Sequence, residues 1–260
     1  MKRFQKILNF CADVKHSSRP NNRKAERGNV LVYILIAIIL FAALSYTVGN
    51  MMRGGNSDMI SEENASLYAG EILNYGRVMR QAIHDMKISN GCTDEEIRFI
   101  DSEIAGYGTS VRSACDLFDP SGGNVNYISP NQDVLASISP APTLYGEWYF
   151  AARVCAIGVG TPDIGCTASG FDIIAFLPYI NLPTCLAIND ALGIDNPGGA
   201  PPVESGNAWT AAQIKFTGDF SSAGIHLERD RAMAGCFSGF GALTTPPEGT
   251  YHFFQVLVAR

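Results

Sequence analysis

The residues that could perform catalysis do not fall into a known pattern. Ser238, within "GCFSGFG", would fit a nucleophile turn only with glycines two residues before and two after it, but those positions hold Cys236 and Phe240. Gly158 and Gly160, in "GVGTPDIG", lack the correctly placed third glycine of a dinucleotide-binding turn, and no helix plainly follows them. This stretch therefore predicts a turn and not a nucleotide site.

Histidine, the commonest catalytic base, occurs at four positions that form no acid–base or metal cluster. His84 directly precedes Asp85 on an expected helix, so the two side chains point to different faces. His226 and His252 could approach each other across strands, although core or surface positions are the commoner outcome. The sequence contains no P-loop, HExxH or EF-hand spacing. We therefore predict that the protein is not an enzyme and binds no cofactor or metal.

The cysteines indicate disulfides rather than metal ligands. Of seven, Cys11 lies near the N-terminus, and the other six show no CxxC pair and no zinc-like spacing with histidine. An even number favours disulfides in an oxidising compartment, and six cysteines allow about fifteen connectivities. Pairing of neighbours along the chain is the preferred arrangement, and the middle pair flanks a Gly/Pro turn. The predicted pairs are Cys92–Cys115, Cys155–Cys166 and Cys185–Cys236.

Charge is distributed unevenly along the 260 residues. Residues 1–28 contain eight Lys or Arg against Asp13 and Glu26, which gives 8 − 2 = +6, so residues 29–260 carry −6 − 6 = −12. The acidic part is a poor match for phosphate, and nucleic acid is therefore not an expected partner. A basic segment next to an apolar helix is typical of the cytoplasmic flank of a membrane helix.

The longest apolar run follows this basic segment. Residues 30–48 are nineteen residues without a charge, and Tyr33 and Tyr46 stand near the two ends. The run exceeds the core of a typical signal peptide, and about 20 helical residues cross the hydrocarbon core of a bilayer. A spanning helix is thus favoured over a cleaved signal or a buried core helix. We predict a cytoplasmic leader at 1–28, a transmembrane helix at 29–49 and an exported domain at 50–260.

The exported domain reads as α+β. The apolar spacing of residues 58–86 predicts an amphipathic helix, after a possible break at Gly54–Gly55. Thr93 and Glu96 have capping-box spacing and predict a short second helix that ends at Gly106. Beyond residue 108, strand-length apolar stretches flank a short helix at "LPTCLAINDALGI", with Thr184 as its expected cap. The strands are predicted at 147–159, 171–180, 211–220 and 249–260, with a long loop at 195–207. The predicted fold class is an N-terminal transmembrane helix that continues into a long amphipathic helix packed on an antiparallel, disulfide-stapled sheet.

A short basic leader that ends in Gly28 and is followed at once by an apolar helix resembles the type IV prepilins and the pseudopilins of type II secretion. In those families a prepilin peptidase cuts after the glycine, and the helix then serves as anchor and assembly surface. The resemblance implies cleavage between Gly28 and Asn29. Such families often close a C-terminal loop with a disulfide, for which Cys185–Cys236 is the candidate. Tyr33 stands where these families usually have Glu.

The expected function is therefore that of a minor pilin-like or pseudopilin-like structural subunit of an envelope filament or secretion system. Its expected partners are the lipid bilayer, other pilin-like subunits and a prepilin peptidase. The expected location is the inner (cytoplasmic) membrane, with the main domain periplasmic or extracellular. The alternative is an unprocessed single-pass membrane-anchored envelope protein with an extracytoplasmic binding domain. A membrane-tethered enzyme is a third, weaker possibility, since no nucleophile–base pair or metal set is visible.

Overall fold

The structure is a computed structural model that describes residues 29–54, 56–160, 168–204, 213–220, 225–227, 232–241 and 246–260. Contacts between Cα atoms divide the chain into two compact units, Met1–Gly55 and Asn56–Arg260. The predicted cytoplasmic leader, residues 1–28, lies outside the described residues.

The first unit contains one described helix, α1, at Asn29–Gly54. Across the described residues, no helix combines the length and the hydropathy that a bilayer crossing requires. The predicted fold class, which begins with a transmembrane helix at 29–49, is therefore wrong in that element.

The second unit begins with helix α2 at Asn56–Ser89, close to the predicted 58–86 and directly after the predicted Gly54–Gly55 break. The helix forms because apolar residues recur every three or four positions, and this face is buried. It ends where Gly91 adopts the left-handed conformation that favours glycine. The buried side chains on this face include Ala69, Ile72, Leu73, Tyr75, Met79, Ile83 and Met86.

A curled six-stranded sheet forms the centre of this unit. The strands are β1 Tyr149–Ala156, β2 Asp172–Ile180, β3 Val203–Glu204, β4 Ile225–Leu227, β5 Ala234–Gly239 and β6 Tyr251–Val258. Their order is β3-β5-β6-β2-β1-β4, and the central four strands pair antiparallel. The short edge strands β3 and β4 pair parallel to β5 and β1. The expectation of a purely antiparallel sheet is thus wrong at both edges.

Both faces of the sheet are buried, so its strands read as continuous apolar runs rather than alternating ones. On one face, Phe253 and Leu257 of β6 belong to the core formed with α2 and with helix α3, Leu182–Leu192. On the other face, Phe254 and Val256 pack in a second apolar cluster. α2 can lie close to β6 because Gly76 has no side chain. A Cβ at this position would lie 3.3 Å from the side chain of Gln255 in β6.

Two predicted elements are not formed. The helix predicted from Thr93 to Gly106 is only a 3-10 turn, Asp94–Glu96, with the expected capping box at its start. Beyond it the chain is extended, because Ile97 has φ −60° and ψ 133° and Arg98 forms a parallel bridge with Asp116. Likewise, no strand lies within the described residues 213–220, because Gly218 has a φ of 93° that breaks the extended run.

The helix at "LPTCLAINDALGI" is α3, but its cap is one turn earlier than expected. Asn181, not Thr184, is the N-cap, and its side chain accepts a hydrogen bond from the Thr184 N–H. Pro183 fits the first turn, where no backbone donor is needed, and Gly193 ends the helix in the left-handed conformation. Four further 3-10 turns, Ser113–Cys115, Gln132–Val134, Ala168–Gly170 and Pro197–Gly199, lie in the connections.

Candidate functional site: an apolar helix surface and a polar groove

The cysteines have a structural role in this fold. The disulfide Cys92–Cys115 joins the end of α2 to a later loop, and Cys185–Cys236 joins α3 to β5, with Cα atoms 5.7 and 5.4 Å apart. Both are among the three predicted pairs. Cys155 is also disulfide-bonded, and its predicted partner, Cys166, lies outside the described residues.

The residues considered for catalysis are distant from one another or buried in the core. Ser238 lies within β5, where its hydroxyl donates to the carbonyl of Pro201. Gly158 and Gly160 lie in the turn after β1 with positive φ, as predicted. His84 is exposed on α2. His226 in β4 and His252 in β6 lie on strands that are separated by β1 and β2 in the strand order.

His252 is a fully buried core residue. Its Nδ1 accepts a hydrogen bond from the Tyr179 N–H at 3.3 Å, and its Nε2 lies 2.7 Å from the Thr250 hydroxyl. The ring also stacks against Phe237. Burial lowers the pKa of this imidazole to about 3, because the charged form would lose its hydration. The ring is therefore a neutral part of the packing at ordinary pH and does not face an open cleft.

Asp172 is the second buried titratable group with a strong structural role. Its carboxylate accepts hydrogen bonds from the N–H of Ala156 at 2.7 Å and from the N–H of Arg260 at 3.0 Å. Burial raises the pKa of Asp172 to about 6, and these two hydrogen bonds oppose part of the shift. The carboxylate thus ties the ends of β1 and β6 to the start of β2. Among the described residues, no group of His, Cys, Asp or Glu is placed to hold a metal ion.

The first candidate site is the surface of α1 over residues 32–46. Every side chain in this segment is exposed, and the large apolar ones have between 47% and 72% of their surface accessible. These residues follow one another around the whole helix, since successive side chains are ~100° apart. We call this the α1 apolar surface. The exposed large side chains are Val32, Tyr33, Ile34, Leu35, Ile36, Ile38, Ile39, Leu40, Phe41, Leu44 and Tyr46.

The second candidate site is a groove of about 1000 Å³ in the second unit. One wall is the outer face of α2 from Glu71 to Asn90, and the other is the loop segment 121–131. Buried side chains, among them Trp148 and Leu177, form its floor. We call this feature the α2 groove. Among the described residues that line it there is no lysine or arginine, and the charged ones are Glu71 and Asp85.

The loop wall of the α2 groove, residues 121–131, is held in place by Tyr75 of α2. The Tyr75 hydroxyl donates to the carbonyl of Asn126 at 3.0 Å and accepts from the N–H of Ile128 at 3.2 Å. Burial raises the pKa of this phenol far above its usual value. Because the neutral hydroxyl donates one hydrogen bond and accepts another, it holds residues 126–128 beside α2.

Sequence reasoning missed this groove, because the helix prediction considered only the buried face of α2. Two signals were available. The stretch "SGGNVNYISPN" is rich in asparagine, glycine and serine, and such loops often carry binding residues. The outward stripe of α2 contains the apolar residue Val78, which remains 44% exposed.

Comparisons with protein families, with curated proteins and with solved structures return no match for this chain. The predicted processing junction is described only on one side: Asn29 is the first residue of α1, and Gly28 lies outside the described residues.

Proposed function

We propose that the protein is a pilin-like structural subunit that assembles with other subunits through the α1 apolar surface. The observation that carries this proposal is the exposure of eleven large apolar side chains on every side of one helix. A helix that is apolar all round is normally buried, because water does not solvate such a surface favourably. The chain on its own supplies no cover for these side chains within the residues that the structure describes.

Burial against other helices would be strongly favourable. Fully burying a large aliphatic side chain contributes about 1.5–3 kcal/mol, so completing the burial of a half-exposed one contributes about 1 kcal/mol. Over eleven side chains the sum is of the order of 10 kcal/mol, before the entropy of association is subtracted. This burial is the driving force for helix-to-helix assembly, and the proposal does not depend on α1 crossing a bilayer.

The second unit supports the same proposal through its architecture. A long helix, α2, packs its apolar face on the antiparallel centre of a sheet, and the cysteines at 185 and 236 close the region between α3 and β5. This arrangement is compatible with the pilin resemblance stated from the sequence. Fold alone does not establish function, so the processing junction at Gly28 and Asn29 provides the more specific support.

N-terminal sequencing of the protein purified from its native cells tests this proposal. We expect the mature chain to begin at Asn29, and we expect Gly28→Leu to leave Met1 as the first residue. Glu26→Ala serves as the matched control and should still be processed at Gly28. A wild-type chain that begins at Met1 would favour the unprocessed envelope protein instead, and one that begins beyond Val48 would remove the assembly helix and end the proposal.

A further inference from the structure

The α2 groove is elongated, which limits the shape of a ligand. Its helical wall extends from Glu71 to Asn90, a rise of about 28 Å at ~1.5 Å per residue. An extended peptide advances ~3.3 Å per residue, so about eight residues fit along it. A compact metabolite would leave most of this length empty.

The polar lining suits the main chain of a peptide. The exposed side-chain amides of Asn74, Asn124 and Asn126 form no hydrogen bond with any described residue. Asn74 is on the helical wall and the other two are on the loop wall, on either side of the buried Val125. An amide side chain carries both a donor and an acceptor, so it can pair with the N–H and the C=O of a peptide group.

The apolar lining argues against a glycan. Sugars are commonly held against the open face of an aromatic ring, but Tyr75 and Trp148 are only 8% and 3% exposed. The exposed apolar groups are instead Val78 and Ile128, one on each wall, at 44% and 58%. Aliphatic side chains of this kind form shallow contacts with the side chains of a peptide.

Charge selects the kind of peptide. Glu71 and Asp85 are fourteen residues apart on one helix, which is about 21 Å or roughly six residues of an extended peptide. Within the described part of the chain, no cationic side chain lines the α2 groove to neutralise them. A second copy is a poor electrostatic match, since residues 29–260 carry a net charge of −12.

From these observations we propose that the α2 groove binds an extended segment of another protein, about eight residues long, with two basic side chains about six residues apart. The amides hold the main chain, Val78 and Ile128 contact the intervening side chains, and the two carboxylates pair with the basic residues. The site lies wholly within the second unit, so it adds a binding activity to the assembly role of α1 and can be tested separately from it.

Selection of a displayed library of random 12-residue peptides on the full-length chain tests this inference. Enriched peptides should carry two Lys or Arg about six positions apart. A synthetic copy should bind at least tenfold more weakly to Glu71→Gln/Asp85→Asn and to Val78→Trp, which fills the groove from an exposed position. Glu63→Gln, which removes an exposed charge of α2 outside the groove, is the matched control and should bind like wild type.

Three results would overturn the inference. Peptides that bind Val78→Trp as well as wild type would show that another surface, such as α1, captured them. If selection on wild type enriches no peptide relative to selection on Val78→Trp, the groove does not bind peptides. Binding of chito-oligosaccharides to wild type but not to Val78→Trp, with no peptide enriched, would assign the groove to glycans.

Discussion

Removal of the buried imidazole at His252 is expected to change how the stability of the second unit depends on pH. The native ring is neutral, because burial lowers its pKa to about 3, while an unfolded histidine titrates at about 6.5. The unfolded state therefore binds more protons as pH falls below 6.5. Stability that is present above this value is lost progressively as pH falls towards 3.

The magnitude follows from the two pKa values. Between pH 7 and pH 5 the unfolded histidine becomes almost fully protonated and the native one does not, so the free energy of unfolding falls by about 2 kcal/mol. Asp172 acts in the opposite direction: its pKa is raised to about 6 in the native state, so the native state gains a proton first and is stabilised as pH falls through 6. Since both variants below retain Asp172, its contribution cancels in the comparison.

Urea unfolding of the full-length chain at pH 7 and pH 5, followed by tryptophan fluorescence, measures this effect. Trp148 is a suitable reporter because it is buried against Phe253, the neighbour of His252. His252→Asn should be less stable at pH 7 but should lose about 2 kcal/mol less than wild type on acidification. His84→Asn, at an exposed helix position, should follow wild type. If His252→Asn and wild type lose the same free energy between pH 7 and 5, the buried neutral histidine is refuted.

Three further changes probe the disulfides, the backbone and the groove wall. Replacing both cysteines of the Cys185–Cys236 pair by serine removes a link across 51 residues and should cost about 2–4 kcal/mol in urea unfolding. Gly70→Ala on the open side of α2 should raise the free energy of unfolding by about 1 kcal/mol, because nothing lies within 4 Å of the added Cβ. Gly239→Ala should instead lower the melting temperature, because its Cβ would overlap the carbonyl oxygen of Pro247. Tyr75→Phe removes two hydrogen bonds to the loop wall and should lower the free energy of unfolding by about 1–3 kcal/mol. Amide hydrogen exchange at residues 126–128 should become faster. Unchanged exchange there would show that Tyr75 does not hold this wall.

The long helix and the central strands could be predicted from the sequence because their signals are local. The spacing of Ile72, Met79 and Met86 predicts α2 by itself, and the apolar runs at 171–180 and 249–260 predict β2 and β6. Pairing of cysteines that follow one another in sequence predicted Cys92–Cys115 and Cys185–Cys236, although 23 and 51 residues separate them.

The remaining elements depend on contacts between distant residues. β5 contains Gly235, Ser238 and Gly239, which have low strand propensity, and it is formed because β6 and Asn189 of α3 pair with it. The parallel edges β3 and β4 are two and three residues long, too short to leave a periodic signal. The α2 groove could not be predicted because it forms only when the loop 121–131 lies beside α2. The hydroxyl of Tyr75 holds the loop there through Asn126, which is fifty-one residues further along the chain.

Photocrosslinking in the native cells measures whether the α1 apolar surface packs against other subunits. The photoreactive amino acid benzoylphenylalanine at Phe41, which is 72% exposed in the isolated chain, should give protein adducts. The same amino acid at Val111, an exposed apolar position of the second unit, is the matched control and should give far fewer. Assembly through the α1 apolar surface predicts adducts at Phe41 with protein chains that carry their own apolar N-terminal helix after a glycine junction. A chain that forms no protein adduct at Phe41 above the level at Val111 would contradict it.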